Sequence, residues 1–324
     1  MQLLEKYSKS LELHLSTAVK KEEPSSLYEP IRYILSLGGK RLRPVLTLMC
    51  CDFFGEDVQK AMNAALAVEL FHNFSLIHDD IMDNAPLRRG RETVHEKWDL
   101  NTGILSGDAM LILAYQLFEA YEPKLFVSLA ELFSKTAIEV CEGQQYDVDF
   151  ETRDDVSVAE YLKMIEYKTA VLMGAAMKMG AVVANASAED ADSIYEFGKN
   201  LGIAFQLQDD YLDAFGNPES FGKQLGGDII SNKKTYLYLR AIQTGTSEEV
   251  GNLKNLFDSQ PKDPSEKIKT TRQIFINSGS VAATEKAISS YTDAANTILD
   301  DINLPETHKQ QLREFGKWLM TRRI

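Results

Sequence analysis

Apolar residues recur at helical spacing along almost the whole chain. Leu3, Leu4, Tyr7, Leu11 and Leu15 mark an amphipathic first helix within residues 1–20, and Pro24 falls in the turn after it. A further helix leads to Gly38-Gly39, a stop signal, and Pro44 to Phe54 reads as a buried helix. Ala64, Ala65, Leu66, Val68, Leu70, Phe71, Phe74, Leu76 and Ile77 cover too much of a helix circumference for a solvent-facing element, so that helix is expected inside. Residues 101–120, 125–146, 157–184 and 189–213 continue the helical rhythm, the third stretch interrupted by polar Lys168-Thr169. Residues 216–232, rich in glycine, are expected to form a mobile flap, and Pro261 and Pro264 mark a surface connection before terminal helices. No strand alternation, no βαβ rhythm, and neither G-x-x-x-x-G-K-[ST] nor G-x-G-x-x-G occurs. The expected architecture is all-α, one large helical bundle around a central cavity, forming a single domain over residues 1–324.

Two places on this pattern carry chemistry. The buried helix ends L-I-H-D-D-I-M-D, with Asp79, Asp80 and Asp83, and F-Q-L-Q-D-D-Y-L-D repeats the ending with Asp209, Asp210 and Asp213, 130 residues further on (209 minus 79). Asp79 and Asp83 lie four apart, on one helix face, as do Asp209 and Asp213. Like charges at that spacing repel, and carboxylates are rarely buried unpartnered, so such a helix calls for cations. Oxygen ligands that leave room for water suit Mg²⁺. The acidic helices are expected to face each other across the cavity.

Basic groups accompany the acids. Lys40, Arg41 and Arg43 follow the glycine pair and precede a helix start, where an anion is favoured. Arg88 and Arg89 lie just after the first acidic triplet, and His72 lies two turns before Asp79 on the same face. Lys168 sits in an apolar run, where an ammonium is costly unless it meets an anion. Lys223 and Lys233 belong to the glycine-rich segment and its end. A site needing both sets of charges holds a highly anionic group, most simply a diphosphate, and the apolar helices around it suit a hydrocarbon tail. The net charge of −13 argues against nucleic acid as the main partner. Three cysteines without ligand spacing, no signal-peptide core and no run of membrane-spanning length point to the cytoplasm. The closing Arg322-Arg323 reads as a frayed end.

The sequence resembles the trans-isoprenyl diphosphate synthases, or polyprenyl synthetases. The resemblance is carried in order by G-G-K-R-L-R-P (38–44), L-I-H-D-D-I-M-D (76–83), P-L-R-R-G (86–90), G-D (107–108), E-G-Q-Q-Y-D (142–147), Y-K-T-A (167–170), F-Q-L-Q-D-D-Y-L-D (205–213), G-K-x-x-G-G-D (222–228) and K-K-T (233–235). It implies the isoprenoid synthase fold, a homodimer, and two or three Mg²⁺ held by Asp79, Asp83 and Asp209 with Asp80, Asp210 and Asp213 in support. It implies that Lys40, Arg43, His72 and Arg89, with Arg41 beside them, hold isopentenyl diphosphate. Arg88, Lys168, Gln206, Lys223 and Lys233 would hold the allylic diphosphate, with Thr169 and Gln206 near the cationic carbon. The implied route is ionisation, attack by the isopentenyl double bond, and proton loss.

In this family the residues just before the first aspartate motif line the tail tunnel. Phe74 is expected to act as its floor, with Phe71 and Ser75 adjusting the space, which gives a C20 product first and C15 next. On an ideal helix Ser75 lies about 40° from Asp79 and Phe74 about 140°, so Phe74 facing a neighbouring helix is the alternative. A terpene cyclase or squalene-synthase-like enzyme would need other metal motifs, and a non-catalytic subunit of a heteromeric synthase typically lacks one of the two.

Overall fold

The computed structural model describes residues 2–216 and 225–321. Lys223 and Arg322-Arg323 lie outside the described residues. The chain divides into two compact units, residues 1–136 with 175–195 and residues 137–174 with 196–324.

In the first unit, α1 (Gln2–Leu15), α2 (Ser25–Ser36) and α3 (Leu42–Phe53) pack on α4 (Met62–Met82). A tight hairpin of β1 (Leu87–Arg88) and β2 (Arg91–Glu92), the short α5 (Val94–Lys97) and α6 (Leu100–Gln116) follow. The two strands are too short to produce any alternation, which is why the sequence pattern does not reveal them. Arg89 and Gly90 at the tip both have positive φ, 54° and 73°. That is the geometry a two-residue hairpin demands. As expected, α4 is buried on most sides: Ala64, Ala65, Leu66, Val68, Leu70, Phe71 and Ile77 are all inside. Phe71 packs edge-on against Phe133 of α7 (Pro123–Thr152), with ring centroids 5.2 Å apart. Each such side chain contributes about 1.5–3 kcal/mol by leaving water.

The second unit holds the end of α7, α8 (Val158–Ile165), a π-helical turn (Glu166–Ala170), the start of α9 (Val171–Val183) and most of α10 (Ala188–Phe215). It continues with α11 (Gly227–Ile230), α12 (Tyr236–Thr244), α13 (Ser247–Phe257), α14 (Ser265–Asn277), α15 (Ser280–Asp301) and α16 (Glu306–Thr321). Its core includes Tyr161, Ile165, Leu207, Leu237, Leu253 and Phe275. Ser157 and Glu160 form a reciprocal capping box that starts α8. The stretch expected as one helix over 157–184 is thus two helices joined by a wide turn that contains Lys168 and Thr169. Residues 217–224 of the expected flap lie outside the described residues; at its described end Gly226 N donates to the Asp213 carbonyl at 2.7 Å, and Ile229 is buried. No helix among the described residues is long and apolar enough to cross a membrane.

Candidate active site

The first acidic triplet closes α4. Asp79 is half-buried in the last turn and Asp83 is exposed at the cap, its amide donating to the Asp79 carbonyl at 2.9 Å. A helix C-terminus is the negative end of its dipole, so carboxylates there are disfavoured until a cation joins them. Asp80 faces the other way. It is 2% exposed and accepts from Arg88 Nε and Nη2, both at 2.7 Å, while the same Nη2 lies 3.6 Å from Asp79 Oδ2. Burial pushes the Asp80 pKa up, the Arg88 guanidinium pulls it down, and Asp79 adds to the rise. The hairpin therefore brings Arg88 back onto α4, where two parallel bonds fix the helix end.

The neighbouring cations form a cradle in the same unit. Arg89 Nη1 donates to the Gly38 carbonyl, and a Cβ on Gly39 would come within 2.7 Å of the Arg89 Cζ and push that guanidinium aside. Gly39 also has φ +123°. Burial lowers the Arg89 pKa, with the Arg41 charge adding to the effect. Arg43 Nη1 donates to His72 Nε2 at 3.3 Å. A guanidinium cannot accept, so that ring nitrogen carries no proton. Burial first, then Arg43, Arg89, Arg88 and Arg41, hold the His72 pKa well below its ordinary value, and the ring is neutral near pH 7. Lys40 is exposed at the edge of this group.

Arg41 departs from expectation. Its φ is +48°, it is 8% exposed, and its guanidinium donates to Glu69 and to the Leu35 carbonyl. Asn73 Nδ2 donates to the same Glu69 Oε1 at 2.7 Å. The left-handed backbone turns this cation inward, onto Glu69, while Lys40 stays exposed. Three cations in four residues look equivalent in sequence because spacing does not reveal that turn.

The second triplet lies near the end of α10. Asp210 is 6% exposed and accepts from the Tyr161 hydroxyl and from Gln206 Nε2 at 3.0 Å. Burial, with the Asp228 charge nearby, raises its pKa well above the usual carboxyl range. Asp213 accepts from the amides of Gly227 at 3.2 Å and Asp228 at 3.0 Å, and so caps α11. Asp209 is half-buried one position before Asp210. Lys233 is half-buried after α11, its amide donating to the Asp228 carbonyl at 2.9 Å.

The π-helical turn belongs to this second group. Thr169 Oγ1 donates to Gln206 Oε1 at 3.1 Å, and Lys168 Nζ meets Asp147 Oδ2 at 2.5 Å. A carboxylate of the E-G-Q-Q-Y-D motif is thus one anion that meets Lys168. A Cβ on Gly143 would overlap the Lys168 amide nitrogen, and one on Gly202 would lie 2.6 Å from Ala170 Cα. The turn is clasped between two glycine faces, from α7 and from α10. Asp147, Tyr161 and Glu69 are the polar partners that sequence reading left out. Asp147 had a signal, its place in a quoted motif, whereas Tyr161 occupies an ordinary apolar-face position.

Before the first triplet, Phe74 is buried. Its ring lies 5.5 Å from Phe71 and 4.8 Å from His78, whose imidazole fills the space left by Gly107 of α6. Phe74 therefore shares the side of α4 that carries His78 to α6. Ser75 is half-buried, its hydroxyl tied to the His72 carbonyl at 2.8 Å.

Among the described residues no three His, Cys, Asp or Glu side chains gather into a group that could hold a metal. Asp79 and Asp83 still fit Mg²⁺, which is commonly held by one or two carboxylates together with water and substrate phosphate.

These features define an all-helical protein with carboxylate rows and a cluster of cations. The sequence model of the polyprenyl synthetase family matches residues 24–274, and the chain belongs to that family. The geranylgeranyl diphosphate synthase of Methanosarcina mazei is 42% identical over 229 residues, 70% of this chain and 71% of that one. The geranylfarnesyl diphosphate synthase of Natronomonas pharaonis is 36% identical over 312 residues, 90% of this chain and 89% of that one. A solved structure of a geranylgeranyl pyrophosphate synthase superposes with TM-score 0.95 at 53% identity, covering 98% of both chains. The fold is the all-α isoprenoid synthase fold, and the protein is a short-chain trans-prenyltransferase. Enzymes of this family depend in general on Mg²⁺ and use isopentenyl and allylic diphosphates.

Proposed function

We propose that the chain, acting as one catalytic domain over 1–324, joins isopentenyl diphosphate to an allylic diphosphate of C5 to C15 and releases geranylgeranyl diphosphate, C20. The observation that carries this reading is the carboxylate row of Asp79 and Asp83 at the negative end of α4, in the unit that also holds Arg43, Arg89 and neutral His72. The family match runs across both units, which supports a single domain.

Asp79, Asp83 and Asp209 are the proposed Mg²⁺ ligands, for two or three ions. Asp80, Asp210 and Asp213 support them, each already bonded to a protein donor. When bound, Mg²⁺ would offset the charge that builds on the departing diphosphate. Lys40, Arg43, Arg89 and His72 bind and orient isopentenyl diphosphate. Lys168 and Lys233, with Lys223 from outside the described residues, hold the allylic diphosphate, and Arg88 acts on it from its seat on Asp80. The oxygens of Thr169 and Gln206 face the carbon that becomes cationic, where their dipoles stabilise positive charge. Apolar surroundings keep water from that carbon. The proton lost at the end goes to the released diphosphate.

A homodimer is part of the proposal. Ile104, Leu105 and Ile112 form an exposed apolar row on α6, which a second copy would cover. A cytoplasmic setting fits the free thiols of Cys50, Cys51 and Cys141. The test is to incubate purified protein with Mg²⁺, labelled isopentenyl diphosphate and each primer (C5, C10 or C15), then size the products. Elongation to C20 is expected. A C15 or C25 end product overturns the assigned length, and no elongation with any primer overturns the activity.

A further inference from the structure

We infer that Tyr161, through Asp210, is a positioning residue that fixes which face of the Gln206 amide the substrate meets. The inference rests on the reading above, in which the Gln206 oxygen faces the reacting carbon.

A terminal amide has two ends of nearly equal size and opposite polarity, and either can turn toward a ligand. In Gln206 the hydrogen bonds decide. Gln206 Nε2 donates to Asp210 Oδ1 at 3.0 Å, which puts the NH2 end on that side. The Thr169 hydroxyl donates to Oε1 at 3.1 Å. The amide is held at both ends, and its oxygen has one further lone pair to offer.

Asp210 could do this only if it is itself held. Gln206 and Asp210 lie four apart on α10, which lets the side chains meet but leaves the carboxylate free to rotate. The Tyr161 hydroxyl takes Oδ2 and removes that freedom. Tyr161 reaches it from α8, whose start is set by the Ser157–Glu160 capping box, and its ring is buried in the core of this unit. The order of action is therefore Tyr161, Asp210, Gln206, and only the last touches substrate. An amide reversed at this point would present N–H dipoles to a developing cation and oppose it.

This assigns the middle aspartate of the second triplet an orienting duty. The test is a double-mutant cycle between Tyr161→Phe and Gln206→Leu, read as steady-state kcat and KM for both substrates, with folding checked by circular dichroism. Tyr161→Phe is expected to lower kcat about 10-fold and leave both KM values within about twofold. Gln206→Leu is expected to lower kcat about 100-fold, and the double variant to be no slower than Gln206→Leu alone. Multiplying losses, or an unchanged kcat in Tyr161→Phe, overturn the inference while the native enzyme still elongates. Failure of the native protein to elongate any primer overturns the functional reading instead. Should Tyr161→Phe not fold, Asp210→Asn replaces it in the same cycle with the same expected non-additivity, and additivity there also overturns the inference.

Discussion

His72 shows how one side chain can report on its setting. Its pKa is depressed in the folded chain, while in the unfolded chain it returns to about 6.5. Below that pH the unfolded state binds a proton that the folded state refuses. Stability should therefore fall as pH drops below about 6.5, by at most about 1.4 kcal/mol per pH unit. Urea unfolding at pH 5, 6 and 7 should give this slope for the native chain and a flatter one for His72→Asn. Arg41 and Glu69 make a different claim. Glu69→Ala leaves a buried guanidinium without its carboxylate and should cost about 3–5 kcal/mol in urea unfolding. Arg41→Met with Glu69→Leu should restore most of that. Phe74→Ala should lengthen the product, sized by chromatography of labelled chains, and an unchanged length would put the floor elsewhere. At this scale the placement of the aspartate rows at helix ends was legible, because side chains four apart on an apolar helix share one face. The duties of Arg41, Asp147 and Tyr161 were not. A buried polar residue finds its partner only when distant helices pack, as Lys168 finds Asp147 from 21 positions away.

Among the elements, the π-helical turn is the most constrained. It carries Lys168 and Thr169, and Gly143 and Gly202 close on it from two helices. Gly202→Ala should cost about 1–3 kcal/mol by overpacking, and it should slow turnover as well. Gly251 in α13 has open space where a methyl group would stand, with nothing within 4 Å, so Gly251→Ala should gain about 0.5–1 kcal/mol with turnover unchanged. Thermal or urea unfolding of the pair checks both signs. The long helices before the second aspartate triplet were readable from spacing, since an apolar stripe runs along them. The wide turn was visible only as polar residues in an apolar run. One extra residue in a turn shifts hydrogen bonds without changing composition, so the sequence alone carries no clear mark of it.

At the level of the whole molecule, the exposed row on α6 gives a prediction about assembly. Leu105 is 59% exposed and Ile112 58% exposed. Ile112→Asp should convert a dimer to a monomer in sedimentation at micromolar concentration, with its secondary structure intact. A native chain that sediments as a monomer would remove the dimer from the proposal. The division into two units has a consequence of its own. Phe71 and Phe74 belong to one unit, and the oxygens of Thr169 and Gln206, with Asp210 and Tyr161, belong to the other. On the proposed reading, a substitution at Phe74 should therefore change product length while the Thr169–Gln206 contact stays as it is.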